Sequence, residues 1–134
     1  MRKKFTLKKK EHELTGIPRL NKGFRVVLVK ALSRMPREVA EWAAEKLIFS
    51  SESGDAKALF LNKEGWGRKR GFIFFSNALM DESEDAQTFM VAHEIAHIKL
   101  NHRSLLLNPD MAEEDMIRQE TEADALAEKW LAPF

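Results

Sequence analysis

The chain has 134 residues, 44% of them hydrophobic and 32% charged, with a net charge of +1; such a length encloses one hydrophobic core and leaves no room for a separate substrate domain. It contains no cysteine, which excludes disulfides, thiolate metal sites and cysteine nucleophiles and leaves His, Asp and Glu as the strong metal ligands. No run of about 18 apolar residues is present to span a bilayer, and no apolar stretch follows the basic first residues as a secretory signal requires, so a cytoplasmic location and no membrane partner are expected.

The small net charge hides an asymmetry. Residues 1–25 hold nine Lys or Arg against two Glu, and the remainder holds thirteen against nineteen acids. Residues 1–22 are therefore expected to form a flexible basic arm ahead of a single domain over residues 23–134. A solvated tail is the plain reading of that arm, and nucleic acid is not expected as the primary partner.

From Phe24 to Leu32 the run is β-branched enough for a strand and long enough for a helix, and periodicity alone leaves both open. Pro36 suits a helix start, and Val39, Ala40, Ala43 and Leu47 recur at helical spacing, predicting a helix from Pro36 to about Lys46. The apolar stretches Leu47 to Phe49, Ala58 to Leu61 and Phe72 to Phe75, separated by turn-rich segments, predict a small β-meander. A long helix should begin among the acids of Asp81 to Asp85 and run to about Asn101. Asn108-Pro109-Asp110 then opens a last helix from about Met111 to Leu131, which Pro133 ends.

The first long helix carries His93-Glu94-Ile95-Ala96-His97. Histidines four apart sit about 40° apart around a helix, one turn above the other, so both imidazoles can reach one ion. Glu94 lies about 100° from His93, placed to reach a water on that ion rather than the ion itself. Phe89, Met90, Val91, Ala92, Ile95, Ala96, Ile98 and Leu100 surround the motif, so the helix should be buried, where two histidines and a glutamate are costly unless they bind something.

A zinc peptidase needs a third protein ligand and one open position for water. One solution places a third His six residues after the second and a Gly at the third; those positions hold Arg103 and Leu100, so it is absent. His102 falls one residue short and reads as a surface or helix-end residue. The other solution takes a glutamate from the following helix. On the last helix Glu120 falls mid-arc among Met116, Ile117, Ala123, Leu126, Ala127, Trp130 and Leu131, with Asp124 about 40° away and Glu122 about 200° away, toward solvent. Glu120 is thus the expected third ligand, and Asp124 the acceptor behind one ligand histidine.

His-Glu-Ile-Ala-His followed 23 residues after its second His by Glu120-Thr121-Glu122-Ala123-Asp124 resembles the gluzincin metallopeptidases, and within them the small ImmA/IrrE-like proteins and minigluzincins. Phe89-Met90-Val91-Ala92, Leu100 with His102, and Leu131-Ala132-Pro133 are also similar to that group. The resemblance covers about residues 36–134 and implies an α+β zincin-type domain, a short sheet of three or more strands packed on an active-site helix and a C-terminal glutamate helix. It implies one Zn2+ per chain and a protein or peptide substrate, among which ImmA/IrrE-like members act on repressor proteins.

The expected reaction is amide hydrolysis with Glu94 as general base. His102 and Arg118 are candidates to stabilise the oxyanion in a chain without Tyr. Phe72, Ile73 and Phe74, if they form an edge strand above the helix, are the expected peptide-binding residues by strand addition. Three other readings stand beside this one: an idle zinc-binding module, a hydrolase for a non-peptide amide, and a precursor whose arm or Ala132-Pro133-Phe134 covers the cleft.

Overall fold

The computed structural model describes residues 22–51, 58–61 and 71–132, and the expected basic arm lies outside them except for Lys22. Among the described residues five helices and three strands run in the order α1 (Lys22–Arg34), α2 (Arg37–Lys46), β1 (Leu47–Ser51), β2 (Ala58–Leu61), β3 (Gly71–Phe75), α3 (Asn77–Met80), α4 (Glu84–Lys99) and α5 (Glu113–Leu131). This is the small α+β architecture expected, with the C-terminal helix in place. No helix among the described residues is long and apolar enough to cross a membrane.

The ambiguous run after residue 22 is helical. Phe24, Val27, Leu28, Ala31 and Leu32 are its buried positions, a spacing of three and four that puts them on one helix face, which a two-residue repeat cannot do. Of the adjacent β-branched pair that makes the run look like a strand, Val26 is exposed and Val27 buried. The second helix starts at Arg37, with extended Pro36 as its cap residue.

The sheet is not a meander. Its order is β1-β3-β2, with β1 parallel and β2 antiparallel to β3. A meander needs sequence neighbours side by side, but the last strand, Gly-Phe-Ile-Phe-Phe, is apolar after its glycine and buried at alternate residues, and it takes the middle. Leu59 of β2 is exposed at the margin. The register pairs Phe49 with Ile73 and Phe60 with Ile73 across the two ladders, so these three share one face of the sheet. Gly71 matters for how closely that face approaches α4: a Cβ there would stand 3.0 Å from Cδ1 of Ile98 and 3.3 Å from Cδ2 of Leu47.

The core draws on every element, with Leu28, Leu32, Met35, Leu47, Phe49, Ile73, Phe75, Leu79, Val91 and Ile95 almost wholly buried. Phe75 is stacked between Phe24 and Phe49, at 6.0 and 6.2 Å between ring centroids. Helix α4 lies in the middle, packed against α1, α5 and β2, and therefore buries residues on all sides.

Candidate active site

Helix α4 is started by Ser83, whose hydroxyl oxygen accepts from the Ala86 N–H at 3.2 Å, and its first turn carries Glu84 and Asp85; both features favour an N-terminus. It ends in a reversal: Asn101 has φ 58°, its N–H donates to the Ile98 carbonyl at 3.0 Å, and the His102 N–H donates to the His97 carbonyl at 2.9 Å. That pair of bonds is a Schellman turn, and Asn is one of the few side chains that tolerates its left-handed residue. The chain after α4 is thereby folded back against the helix's last turn.

His93 and His97 point the same way, their Nε2 atoms 3.0 Å apart. Glu120 of α5 meets both, with one carboxylate oxygen 2.9 Å from Nε2 of His93 and the other 3.0 Å from Nε2 of His97. Asp124, one turn on, stands 2.8 Å from Nδ1 of His93, without hydrogen-bond alignment. Glu94 is buried, lies with His93 and His97 in a cluster whose ligand atoms are within 4.8 Å of one another, and has one carboxylate oxygen with no hydrogen-bond partner. Phe60 of β2 lies flat on the His97 ring, 4.4 Å between centroids. This His-Glu-His group could hold a metal ion.

The structure thus brings His93, Glu94, His97, Glu120 and Asp124 together, but for a different reason at Glu120 than its place in an apolar stripe. The buried residues of α5 are Gln119, Ala123, Ala127 and Trp130, whose mean direction is about 65° round the helix from Glu120. Ile117 is exposed, and the Glu120 side chain is 60% exposed. The two glutamates flank the buried stripe: Glu120 on one side reaches the histidine pair, and Glu122 on the other reaches Nε2 of His102 at 2.7 Å.

His102 is the residue whose environment differs most from expectation. It is 4% exposed rather than at the surface, because the Schellman turn swings it back so that its Nδ1 stands 2.9 Å from Nδ1 of His97. Gln119 anchors the loop beyond it, accepting from the Arg103 N–H at 2.8 Å and donating to the Arg103 carbonyl at 3.0 Å. Asn101 at the end of an apolar helix is the signal that could have indicated the reversal. Neither His102 nor Arg118 borders the cleft beside the histidines, and Arg118 is directed to Glu122 at 3.3 Å.

The edge-strand position expected of Phe72, Ile73 and Phe74 is not what the sheet gives them. Strand β3 is central, hydrogen-bonded along both edges, and cannot accept a further strand. Ile73 is buried in the core, while Phe72 and Phe74 stack on each other at 5.9 Å on the sheet face opposite Ile73. Strand order, which no pattern within one strand reveals, decides this. The cleft of about 540 Å³ is lined instead by Ala58, Leu59 and Phe60 of β2, Met90, His93, Glu94 and His97 of α4, Ser104, Leu105 and Leu106 of the following loop, and Glu120. Ser104 closes that loop onto β2 by donating to the Phe60 carbonyl at 2.9 Å.

The electrostatics follow from burial and from one shared carboxylate. Burial pushes Glu94 up to about 8, opposed by His93. Burial also disfavours a charged His93, but its hydrogen bond to Glu120 and the nearby Glu94, Glu120 and Asp124 outweigh it and the pKa rises. For His97 burial dominates, with His93 and His102 adding to it, and the pKa falls. Hydrogen bonds from the two histidines hold Glu120 well below the usual carboxylate range.

A pH dependence of the metal-free chain follows from Glu94. Its folded value of about 8 exceeds the ordinary 4.5, so the fold retains a proton that the unfolded chain loses, and stability falls as pH rises between those values. Denaturant titrations of the metal-free parent and Glu94→Gln at pH 5 and pH 8.5 should show the variant gaining on the parent at the higher pH. An equal gap at both values would place a charged Glu94 in the fold throughout.

A small α+β fold with paired histidines and a carboxylate beside an open, largely apolar cleft points to the class of the peptidases. The Peptidase U49 family description matches residues 28–133, and the chain belongs to that family. No curated protein and no solved structure matches the chain. Peptidase membership agrees with the broader part of the sequence resemblance; the match does not specify the gluzincin or ImmA/IrrE-like group.

Proposed function

We propose that this chain is a zinc-dependent, gluzincin-type peptidase in which His93, His97 and Glu120 hold one metal ion and Glu94 is the general base. The observation that carries the reading is the meeting of both Nε2 atoms with the two oxygens of Glu120 at 2.9 and 3.0 Å. The donor set fits zinc. Two imidazole nitrogens and a carboxylate leave a fourth tetrahedral position open, as a catalytic site requires. Each imidazole can direct an Nε2 lone pair to an ion only with its proton on Nδ1, and each Nδ1 has a possible acceptor within 2.9 Å, Asp124 for His93 and His102 for His97.

When bound, zinc would supply a Lewis acid that polarises the scissile carbonyl and acidifies water. Glu94 takes the water's proton on its unpartnered oxygen and delivers it to the leaving amine. A carboxylate whose burial raises its proton affinity is a stronger base than a solvated one, and a cation beside it keeps it ionised near neutral pH.

The substrate is an extended peptide. Among the described residues β2 pairs with β3 alone, and Ala58 to Phe60 border the cleft, so a peptide added along β2 lies across the histidine pair. Leu59, Met90, Leu105 and Leu106 make that cleft suitable for a large apolar side chain next to the scissile bond. The proposed setting is cytoplasmic, where a chain without cysteine is indifferent to reducing conditions, and residues 23–134 form the peptidase domain behind a basic arm.

The test is cleavage of a mixed peptide library by chelator-treated chain before and after zinc is returned. Cleavage should appear only with zinc, and about tenfold faster beside Leu, Phe or Met than beside Asp or Gly. Turnover without metal would sink the zinc reading, and indifference to the flanking residue would sink the assignment of the apolar wall.

A further inference from the structure

The turn that ends α4 places a third histidine behind the pair, outside the cleft. The two ring nitrogens of buried His102 have different partners: Nδ1 stands 2.9 Å from Nδ1 of His97, and Nε2 stands 2.7 Å from Oε1 of Glu122. The same glutamate oxygen is 3.3 Å from the Arg118 guanidinium. We propose that His102, directed by Glu122, is a positioning residue that selects the tautomer of His97 needed to hold a metal ion. The proposal rests on the zinc reading above.

The direction of the chain follows from counting protons. A carboxylate only accepts, so the nitrogen of His102 facing Glu122 carries the hydrogen. In the neutral ring the other nitrogen, Nδ1, then has a bare lone pair. Two bare nitrogens 2.9 Å apart repel, so Nδ1 of His97 must be the donor. That leaves Nε2 of His97 with its lone pair facing a Glu120 oxygen at 3.0 Å, two acceptors that only a cation between them reconciles, so this is the tautomer a metal-bound site needs. Without the ion Glu120 draws the proton to Nε2 instead. The opposite assignment puts the bare Nε2 of His102 against the carboxylate at 2.7 Å, two acceptors in contact. Glu122, two residues along the helix from Glu120 and on the other flank of its buried face, therefore works against the pull of Glu120 and favours the tautomer of His97 whose Nε2 is free to ligate.

The backbone on both sides of His102 is held for this purpose. Its own N–H is bound to the His97 carbonyl, and the next residue is clamped by Gln119 in both directions. A ring fixed in this way costs little further ordering when its neighbour takes up a metal. A histidine merely filling space would need neither the carboxylate nor the clamp.

The experiment is competition for zinc between a chromophoric chelator and four proteins: the parent, His102→Leu, Glu122→Ala and the double variant. The melting temperature of each metal-free chain is measured beside it. His102→Leu should loosen zinc by about tenfold to a hundredfold and Glu122→Ala by a smaller factor, with the double variant no worse than His102→Leu alone. His102→Gln, which offers one acceptor and one donor, should recover part of the loss. A purely structural histidine would lower the melting temperature of His102→Leu and leave zinc binding by Glu122→Ala at the parent's Kd; that result overturns the proposal. Should His102→Leu fail to fold, Glu122→Ala decides, because that side chain is 46% exposed and outside the core. A parent that binds no zinc overturns the zinc reading as well, whereas a parent that binds and variants that match it overturn this proposal alone.

Discussion

Glu94→Gln is expected to carry zinc at the parent's stoichiometry and to lose turnover by about two to four orders of magnitude, the usual worth of a positioned general base. The amide keeps the shape of the carboxyl and cannot take a proton from water. Retention of zinc is the discriminating half of the result, because Glu94 lies in a cluster with His93 and His97 that could itself hold an ion. Loss of zinc in Glu94→Gln would make Glu94 a ligand and leave the base to another residue. Persistence of turnover would remove Glu94 from the proton transfers altogether. Measuring metal content and peptide cleavage on the same preparation separates these outcomes.

Glu120→Ala is expected to weaken zinc by more than a hundredfold, beyond what removal of a supporting hydrogen bond costs, and to abolish zinc-dependent cleavage at ordinary zinc concentrations. His93→Ala should do the same. The fold should tolerate the change at Glu120, whose side chain is 60% exposed and outside the buried stripe of Gln119, Ala123, Ala127 and Trp130; surface substitutions of that kind cost little stability. Asp124→Ala is the internal comparison. It removes the carboxylate 2.8 Å from Nδ1 of His93 and should weaken zinc by about tenfold without emptying the site. Stoichiometric zinc in Glu120→Ala at the parent's affinity would transfer the third ligand to Glu94 or Asp124. Elemental analysis of the purified variants, followed by chelator competition, reads each case.

These two experiments bear on residues that can be picked out with no structure at all, since they depend on periodicity. Four residues of helix turn His93 and His97 to one side, and the same repeat, applied to the last helix, puts Glu120 and Asp124 together. The buried character of α4 was legible for the same reason, in apolar residues on every side of the motif. What periodicity does not carry is phase against a partner. The buried face of α5 is centred about 65° from Glu120 and about 30° from the middle of the apolar arc that its sequence suggests, because Gln119, Ala123, Ala127 and Trp130 are covered while Ile117 is left exposed. Glu120 reached the histidines from the flank, and Glu122, pointed at solvent in the sequence reading, reached His102.

The sequence by itself determined the two long helices of the site and the facing of His93 with His97 and of Glu120 with Asp124, which depend on spacings repeated within a few residues, while the α+β class was what the family resemblance implied. The Peptidase U49 match over residues 28–133 agrees with the peptidase part of that reading. Only the tertiary structure decided the rest. The first helix was settled by a buried face at Phe24, Val27, Leu28, Ala31 and Leu32, and the sheet order β1-β3-β2 by which strand could be covered on both edges. That order removed Phe72, Ile73 and Phe74 from the cleft and put Ala58, Leu59 and Phe60 beside it. The burial of His102 depended on one left-handed residue, Asn101, reversing the chain. In each case the deciding contact joins residues far apart in the chain or a single backbone angle, and neither leaves a periodic trace in the order of amino acids.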